Sequence, residues 1–156
     1  MTVVADSSPL IALCRIGKLD LLRDLFGQLI LPDAVWQEVV TSGPAKTGAE
    51  EIMSASWIER RSINDIPLAN LLRQDLGAGE SEAIVLAREI GANVLLMDER
   101  RGREAAKRLG LLCTGLVGVL LEARRRGVIT DPASIGLDLR DKAGFWISNE
   151  LMALLR

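Results

Sequence analysis

The sequence predicts an α/β protein of three layers, with a five-stranded parallel sheet between helices and a helical C-terminal extension. Short apolar runs alternate with longer helical patterns as far as about residue 114. This alternation is typical of βαβ units around a parallel sheet. Several of the short runs are apolar throughout, as expected of strands that helices cover on both faces. Beyond that point only helical patterns remain.

Five segments have the length and composition of buried strands: residues 3–5, 28–31, 57–61, 93–97 and 112–114. No repeat, low-complexity tract or long linker separates them. We therefore predict one domain over residues 1–156, with an α/β core in 1–114 and a helical cover in 115–156.

Prolines in the first turn and glycines after the last turn mark the predicted helices. Ser8 and Pro9 supply an N-cap and first turn for a helix over residues 10–16. Pro32 has the same first-turn role for a helix over residues 33–40, which ends at residues 41–44. The other predicted helices span residues 80–90, 117–126 and 144–156. Residues 64–75 have a looser pattern and predict a loop.

The chain contains no histidine. This excludes Ser-His-Asp and Cys-His nucleophilic catalysis, HExxH zinc hydrolysis and proton transfer by imidazole. Catalysis must therefore come from carboxylates, a metal ion, or Lys and Arg side chains. Cys14 and Cys113 lie in apolar surroundings and predict small buried side chains rather than a disulfide or a pair of metal ligands.

Apolar residues make up 49% of the chain and charged residues 26%, which predicts an ordinary globular domain. A net charge of −2 provides no overall attraction for polyanions, so the local distribution of charge decides what binds. No apolar run approaches the roughly 18 residues that cross a bilayer, and no basic leader with a cleavage site precedes the first strand. We expect a cytoplasmic protein.

Two of the predicted strands end in aspartate, at Asp6 and Asp98. In open parallel sheets, ligands bind beyond the carboxyl ends of the strands. If the two strands are neighbours, their axes lie about 4.8 Å apart, and a hard cation can bridge the two carboxylates. The alternative is that each aspartate caps the helix that follows it. That alternative is weaker for Asp6, because Ser8 and Pro9 already supply a cap.

Three glutamates on predicted helices are further candidates. Glu38 borders an apolar band, where a carboxylate can face a cleft, although an isolated glutamate is usually a solvated surface residue. The stretch GAGESE begins like a dinucleotide fingerprint, but Glu82 takes the place of its third glycine and no strand precedes it. Glu80 and Glu82 flank opposite sides of the apolar stripe, so we expect one of them to reach a shared site. The alternative is favourable placement near the positive end of the helix dipole.

Three basic residues after Asp98 share one face of a predicted helix: Arg100, Arg103 and Lys107. They can hold phosphate groups beside the acidic residues. The alternative is a solvated helix face partly paired with neighbouring glutamates.

Five stretches together carry a family resemblance: VVADSSPLIAL, LPDAVWQEV, LGAGESEAIVLA, VLLMDERRGREAAKRLGL and CTGLVGVLLEARRRGVI. They cover most of the chain, and their order is that of the family. The chain resembles a PIN domain, the nuclease fold of VapC-type toxins, and in detail the DUF3368-type subgroup of predicted nucleic-acid-binding proteins.

The resemblance implies a sheet in the order 3-2-1-4-5, with the strands before Asp6 and Asp98 side by side. It also implies one acidic pocket that Asp6, Glu38, Asp98 and a carboxylate of the third helix form together. Glu82 matches that third-helix position best, and Glu80 is the alternative. Ser7 matches a small hydroxyl residue that helps to hold a metal-bound water.

Mg²⁺ or Mn²⁺ suits such a pocket, because these ions take oxygen ligands and need no histidine. One or two ions would orient a water and stabilise charge on a phosphate. The expected function is that of a metal-dependent endoribonuclease, the toxin of a type II toxin-antitoxin pair, with RNA as substrate, an antitoxin protein as partner and a homodimer as assembly. The alternatives are an inactive PIN-like module that binds nucleic acid or protein, and a hydrolase of small phosphate esters.

Overall fold

The computed structural model describes residues 1–41 and 48–156. Its strands are β1 (Val3–Ala5), β2 (Leu29–Pro32), β3 (Ile58–Arg61), β4 (Val94–Leu96) and β5 (Cys113–Thr114). They form one sheet in the order β3-β2-β1-β4-β5, and every adjacent pair is parallel. The predicted fold class and strand order are confirmed.

The register of the two central strands aligns their carboxyl ends. Ala5 of β1 pairs with Leu96 of β4, and the backbone N–H of Asp6 donates to the carbonyl of Leu96 at 2.9 Å. Asp6 and Asp98 therefore leave the sheet at the same edge, as expected for ligand-binding positions of a parallel sheet.

Ten helices are described: α1 (Ser7–Arg15), α2 (Asp20–Phe26), α3 (Asp33–Trp36), α4 (Ala49–Ser54), α5 (Ile66–Leu72), α6 (Ala78–Ile90), α7 (Arg100–Arg108), α8 (Leu116–Arg125), α9 (Pro132–Asp141) and α10 (Asn149–Leu154). A π-helical segment, Gln37–Thr41, continues α3. The predicted end of this helix at residues 41–44 lies partly outside the described residues. None of the described helices has both the length and the hydropathy that a bilayer crossing requires.

Two predicted helix starts differ from the structure by three residues or more. Helix α1 begins at Ser7, so Ser8 lies within the helix and Asp6 takes the N-cap position. Helix α10 begins only at Asn149, rather than at residue 144. Gly144 has a φ of +68°, which a helix excludes, and the Ser148 hydroxyl accepts from Leu151 N–H and so caps the helix further along.

Helices α2, α4, α5 and α9 are additional to those predicted. Helix α5 replaces the loop predicted over residues 64–75, and its start signal is present in the sequence. The Asp65 side chain accepts from Leu68 N–H at 3.1 Å, and Pro67 lies in the first turn. The cap at Asp65 and the proline of the first turn are therefore sufficient to start a helix where a loop was predicted.

The core lies on both faces of the central strands. All three residues of β1 are fully buried, and so is the run from Ala83 to Ala87 in α6. A strand covered in this way is expected to hold its end rigidly. Asp6 is the first residue beyond that strand.

Candidate active site

Asp6 is buried, with 3% of its surface exposed, and its side chain makes no capping hydrogen bond to α1. Burial raises the pKa of Asp6 to about 7. The backbone N–H of Ser7 acts in the opposite direction, whereas the charges of Glu80, Glu38 and Asp98 raise the pKa further. The structure thus brings Asp6 within electrostatic reach of three other carboxylates, and its ionised form is costly without a cation.

Glu38 lies on the π-helical segment and its carboxylate is held at both oxygens. The Ser7 hydroxyl donates to Oε2, and the Gly79 backbone N–H donates to Oε1 at 2.9 Å. π-Helical turns are rare and frequently occur at functional sites. The apolar band in the sequence indicated only that Glu38 borders the core, whereas these two contacts orient its carboxylate.

Glu80 has one bonded and one unpartnered oxygen. Its Oε1 accepts from Gly77 N–H at 3.2 Å, across the start of α6. Its Oε2 is buried and has no hydrogen-bond partner among the described residues. Burial raises the pKa of Glu80, the Gly77 N–H lowers it, and the charges of Glu99 and Glu38 raise it. A buried carboxylate oxygen without a partner is unfavourable, so this atom is free to coordinate a cation or to accept a hydrogen bond.

Glu82 lies elsewhere, although sequence resemblance made it the first choice for the third-helix position. Its Oε1 accepts from Ala34 N–H at 3.0 Å, and its Oε2 lies 3.5 Å from Arg73. Two residues along a helix correspond to a rotation of about 200°, so Glu80 and Glu82 point to opposite sides. The structure brings Glu80, the alternative, to the other carboxylates.

Asp98 caps a helix, but not the helix that follows it. Both carboxylate oxygens accept from Leu116 N–H, at 3.1 and 3.2 Å, at the start of α8. Helix α7 has Glu99 at its N-cap position. Burial raises the pKa of Asp98 to about 6, although Leu116 N–H and the Arg103 guanidinium lower it. Asp98 therefore has a capping role, as the alternative interpretation proposes, but at the start of α8 and not of the helix that follows it.

A cavity of about 230 Å³ lies beyond the end of β1. The residues that line it, here called the acidic cleft, are Asp6, Ser7, Ser8, Glu38, Gly77, Gly79, Glu80 and Glu99. Four of them are carboxylates and none is basic. Glu99 was not among the sequence-predicted residues, although its position directly after Asp98 was a signal.

The donor set of the acidic cleft suits Mg²⁺ or Mn²⁺, because its ligands are carboxylate and hydroxyl oxygens. The unpartnered Oε2 of Glu80 supports this fit. Within residues 1–41 and 48–156, however, no three carboxylate or thiol groups are arranged so that they could hold one ion as they stand. The residues therefore fit a metal by their chemistry, and the side chains must move closer to share one.

A second cavity, of about 500 Å³, is lined by Asp98, which is not among the residues that line the acidic cleft. The residues that line it, here called the basic groove, are Asp98, Arg100, Arg103, Glu104, Lys107, Leu111, Leu112 and Cys113. The three basic residues predicted to bind substrate thus share one cavity. Arg100 pairs with Glu104 at 3.2 Å, whereas Arg103 and Lys107 form no ion pair with any described residue.

A parallel sheet in this order, with carboxylates gathered at its carboxyl edge, defines a three-layer α/β domain with an acidic site at the edge of the sheet. The chain matches the PIN-domain family DUF3368 over residues 2–156 and belongs to that family. PIN domains are generally nucleases and typically use divalent metal ions.

The fold is also similar to that of a PilT N-terminus domain protein from the hyperthermophilic archaeon Sulfolobus solfataricus P2. The TM-score is 0.60 at 19% sequence identity, and the match covers 79% of this chain and 93% of the archaeal chain. At this identity the likeness shows the fold alone. No curated protein matches the chain significantly.

Proposed function

We propose that this PIN domain is a divalent-metal-dependent endoribonuclease that hydrolyses RNA phosphodiester bonds, and that it acts as the toxin of a type II toxin-antitoxin pair. The observation that carries the proposal is the gathering of Asp6, Glu38 and Glu80 in one cavity at the end of β1. Burial, and to a lesser extent the neighbouring carboxylates, raise the pKa of Asp6, as expected of a site that is complete only with a cation.

In this proposal Asp6, Glu38, Glu80 and Asp98 supply oxygen ligands to Mg²⁺ or Mn²⁺. When bound, one or two such ions activate a water for attack on phosphorus and stabilise the charge that develops on the phosphate.

The chain's own residues prepare the ligands. Ser7 and Gly79 orient the Glu38 carboxylate, and Leu116 N–H orients that of Asp98. Because the pKa of Asp6 is about 7, this group carries a proton in a large share of the molecules at neutral pH. Asp6 must release that proton before it can serve as a ligand, so we expect proton release when the site is loaded.

The experiment is cleavage of end-labelled single-stranded RNA with Mn²⁺ or Mg²⁺. Wild-type protein should cleave, and both Asp6→Asn and EDTA should abolish cleavage. Asp75→Asn is the matched control, because Asp75 is exposed and lies outside the acidic cleft. Cleavage that survives Asp6→Asn or EDTA rejects the proposed site.

A second candidate function is a non-catalytic module that binds nucleic acid or protein. Two observations favour it: no three described carboxylates are arranged for one ion, and Asp98 is already bonded to Leu116 N–H. Titration of Mn²⁺ against melting temperature separates the two functions. A rise in wild-type protein that Asp6→Asn lacks supports the nuclease, and no rise in either protein supports the binding module.

We also propose an antitoxin protein and a second copy of this chain as partners. The antitoxin would insert a cationic side chain into the acidic cleft, where four carboxylates and no basic residue form the lining. An arginine-containing peptide should then inhibit RNA cleavage in competition with Mn²⁺. Inhibition that does not depend on Mn²⁺ concentration would place the peptide elsewhere. Light scattering of the protein in solution tests whether two copies of the chain form the proposed homodimer.

A further inference from the structure

We propose that the basic groove is a subsite for one unpaired nucleotide of the RNA strand, next to the bond that the acidic cleft cleaves. The inference rests on the proposed function and adds the place on this chain where a nucleotide of the substrate binds. Three features of the groove carry it: two cations that form no ion pair among the described residues, an apolar wall, and a position beside the acidic cleft, since Asp98 lines the groove and the next residue, Glu99, lines the cleft.

The cations are Arg103 and Lys107. Neither forms an ion pair within the part of the chain that the structure describes, whereas Arg100 pairs with Glu104 and has a 91% exposed side chain. Arg103 and Lys107 are four residues apart on α7, so their Cβ atoms lie about 5–6 Å apart on one face. This face of α7 therefore offers two donors to the sugar-phosphate backbone, and Arg100 contributes less because its charge is already shared.

The opposite wall is apolar. It consists of Leu111, Leu112 and Cys113, where the chain enters β5. Leu112 is 67% exposed, although exposing a large apolar side chain has no benefit for folding. Nucleobases have apolar faces that bind such surfaces with little dependence on sequence. The wall thus provides a place for a base, beside the cations that would hold its phosphate.

The occupant must be unpaired. A volume of about 500 Å³ is that of a small-ligand pocket, too small for a duplex. Bases within an A-form duplex are stacked and their edges lie in a groove that side chains cannot read, whereas unpaired bases are free to turn outward. Single-stranded RNA is therefore the substrate class that this cavity fits.

Asp98 joins the groove to the acidic cleft. Its carboxylate lines the groove, and Asp98 leaves the sheet beside Asp6, because Ala5 of β1 pairs with Leu96 of β4. Arg103 lines the groove together with Asp98. In the proposal, a strand with one phosphate at Arg103 passes Asp98, and a neighbouring phosphate lies toward Asp6.

The test is binding of a fluorescent single-stranded RNA decamer to the full chain in EDTA, so that no cleavage occurs. Lys107→Ala should raise Kd about 3-fold to 10-fold and reduce the slope of log K against log salt by about 0.7, the value for one phosphate contact on a single strand. Arg108→Ala is the matched control. It removes the same charge from the next residue of α7, which lines a different cavity. Its Kd and slope should stay near those of the wild type.

The apolar wall is tested by Leu112→Asp, which should also weaken binding of the single strand. Leu137→Asp is the matched control, because Leu137 is 41% exposed and lies on α9, outside the groove. RNA that carries 4-thiouridine should crosslink to the peptide that contains residues 111–113. A crosslink only to other peptides would contradict the proposed subsite.

Equal weakening by Lys107→Ala and Arg108→Ala would overturn the proposal, since the effect would then be one of general charge. Equal affinity for the same RNA as a duplex would also overturn it. Normal binding by all groove variants, in a protein whose cleavage depends on Asp6, rejects the subsite and leaves the nuclease proposal standing. Groove-dependent binding by a protein that cleaves nothing supports the subsite and rejects the nuclease proposal.

Discussion

The Glu38 carboxylate lies directly against the backbone of Gly79. The Gly79 N–H donates to Oε1 at 2.9 Å, and a Cβ atom at residue 79 would lie 2.5 Å from the same oxygen. A glycine at this position is therefore required by a close approach, rather than by an unusual backbone conformation. Two other carboxylates also lie close to a glycine. A Cβ atom at Gly102 would lie 3.0 Å from Glu80 Oε2, and a Cβ atom at Gly115 would overlap the Asp98 carboxylate.

Gly79→Ala should displace the Glu38 carboxylate from the acidic cleft while the fold persists. If Glu38 is a metal ligand, the apparent affinity for Mn²⁺, measured by the rise in melting temperature, should fall by about 10-fold or more. Gly77→Ala is a graded control, because its Cβ would come no closer than 3.3 Å to Glu80. Unchanged Mn²⁺ affinity in Gly79→Ala would show that Glu38 is not a ligand.

Asp6→Asn should stabilise the metal-free protein at neutral and alkaline pH. A carboxyl group with a higher pKa in the folded than in the unfolded protein favours folding when protonated, so its contribution is complete below the unfolded value and is lost as pH rises through the folded one. For Asp6 that range runs from 3.8 to about 7.

In EDTA, the melting temperature of Asp6→Asn should therefore exceed that of wild type above pH 7, by about 2–4 °C for each kcal/mol that the burial of the charge and its repulsion cost the wild type. Below pH 4 the difference should disappear. The raised pKa of Asp98 acts in the same direction, so the variant keeps part of the pH dependence. Loss of stability in Asp6→Asn at pH 8 would show that Asp6 is mainly structural.

Asp98→Ala and Asp98→Asn should separate the structural role of this residue from its proposed catalytic role. Asp98→Ala leaves Leu116 N–H without its acceptor at the start of α8, which should cost about 1 kcal/mol, in the range of N-cap substitutions. Asp98→Asn keeps an acceptor oxygen and should retain the stability of the wild type in urea unfolding. Both variants should lack RNA cleavage. An active Asp98→Asn would contradict its role as a ligand.

Glu80→Gln and Glu82→Gln should differ, although the two positions are only two residues apart. Glu80→Gln removes a charge from the acidic cleft and should reduce both Mn²⁺ affinity and RNA cleavage by about 10-fold or more. Glu82→Gln keeps an acceptor for Ala34 N–H outside the cleft, so its Mn²⁺ affinity should remain within about 2-fold of wild type, as the absence of a ligand contact implies. The reverse ranking would restore Glu82 as the ligand.

The positions of Asp6 and Asp98 at one edge of the sheet followed from local sequence pattern. Short apolar strands and the helices between them imply a parallel sheet, and the carboxyl ends of its strands open on the same side. The family resemblance added the strand order, which no periodicity contains. Helix α5 was missed because its start signal is only one turn long. The shorter range of α10 was missed because it depends on the conformation of a single glycine, Gly144.

The sequence by itself determined the fold, the absence of histidine chemistry and the carboxylates available for a site. Tertiary structure alone decided how those carboxylates are used. The rotation of α6 sends Glu80 into the acidic cleft and Glu82 to Ala34, and Asp98 bonds to an amide 18 positions away. The fold class follows from the periodic pattern of apolar residues, which can be read from a short window of sequence. The direction of a side chain depends instead on contacts between distant segments, and packing decides these only when the whole chain has folded.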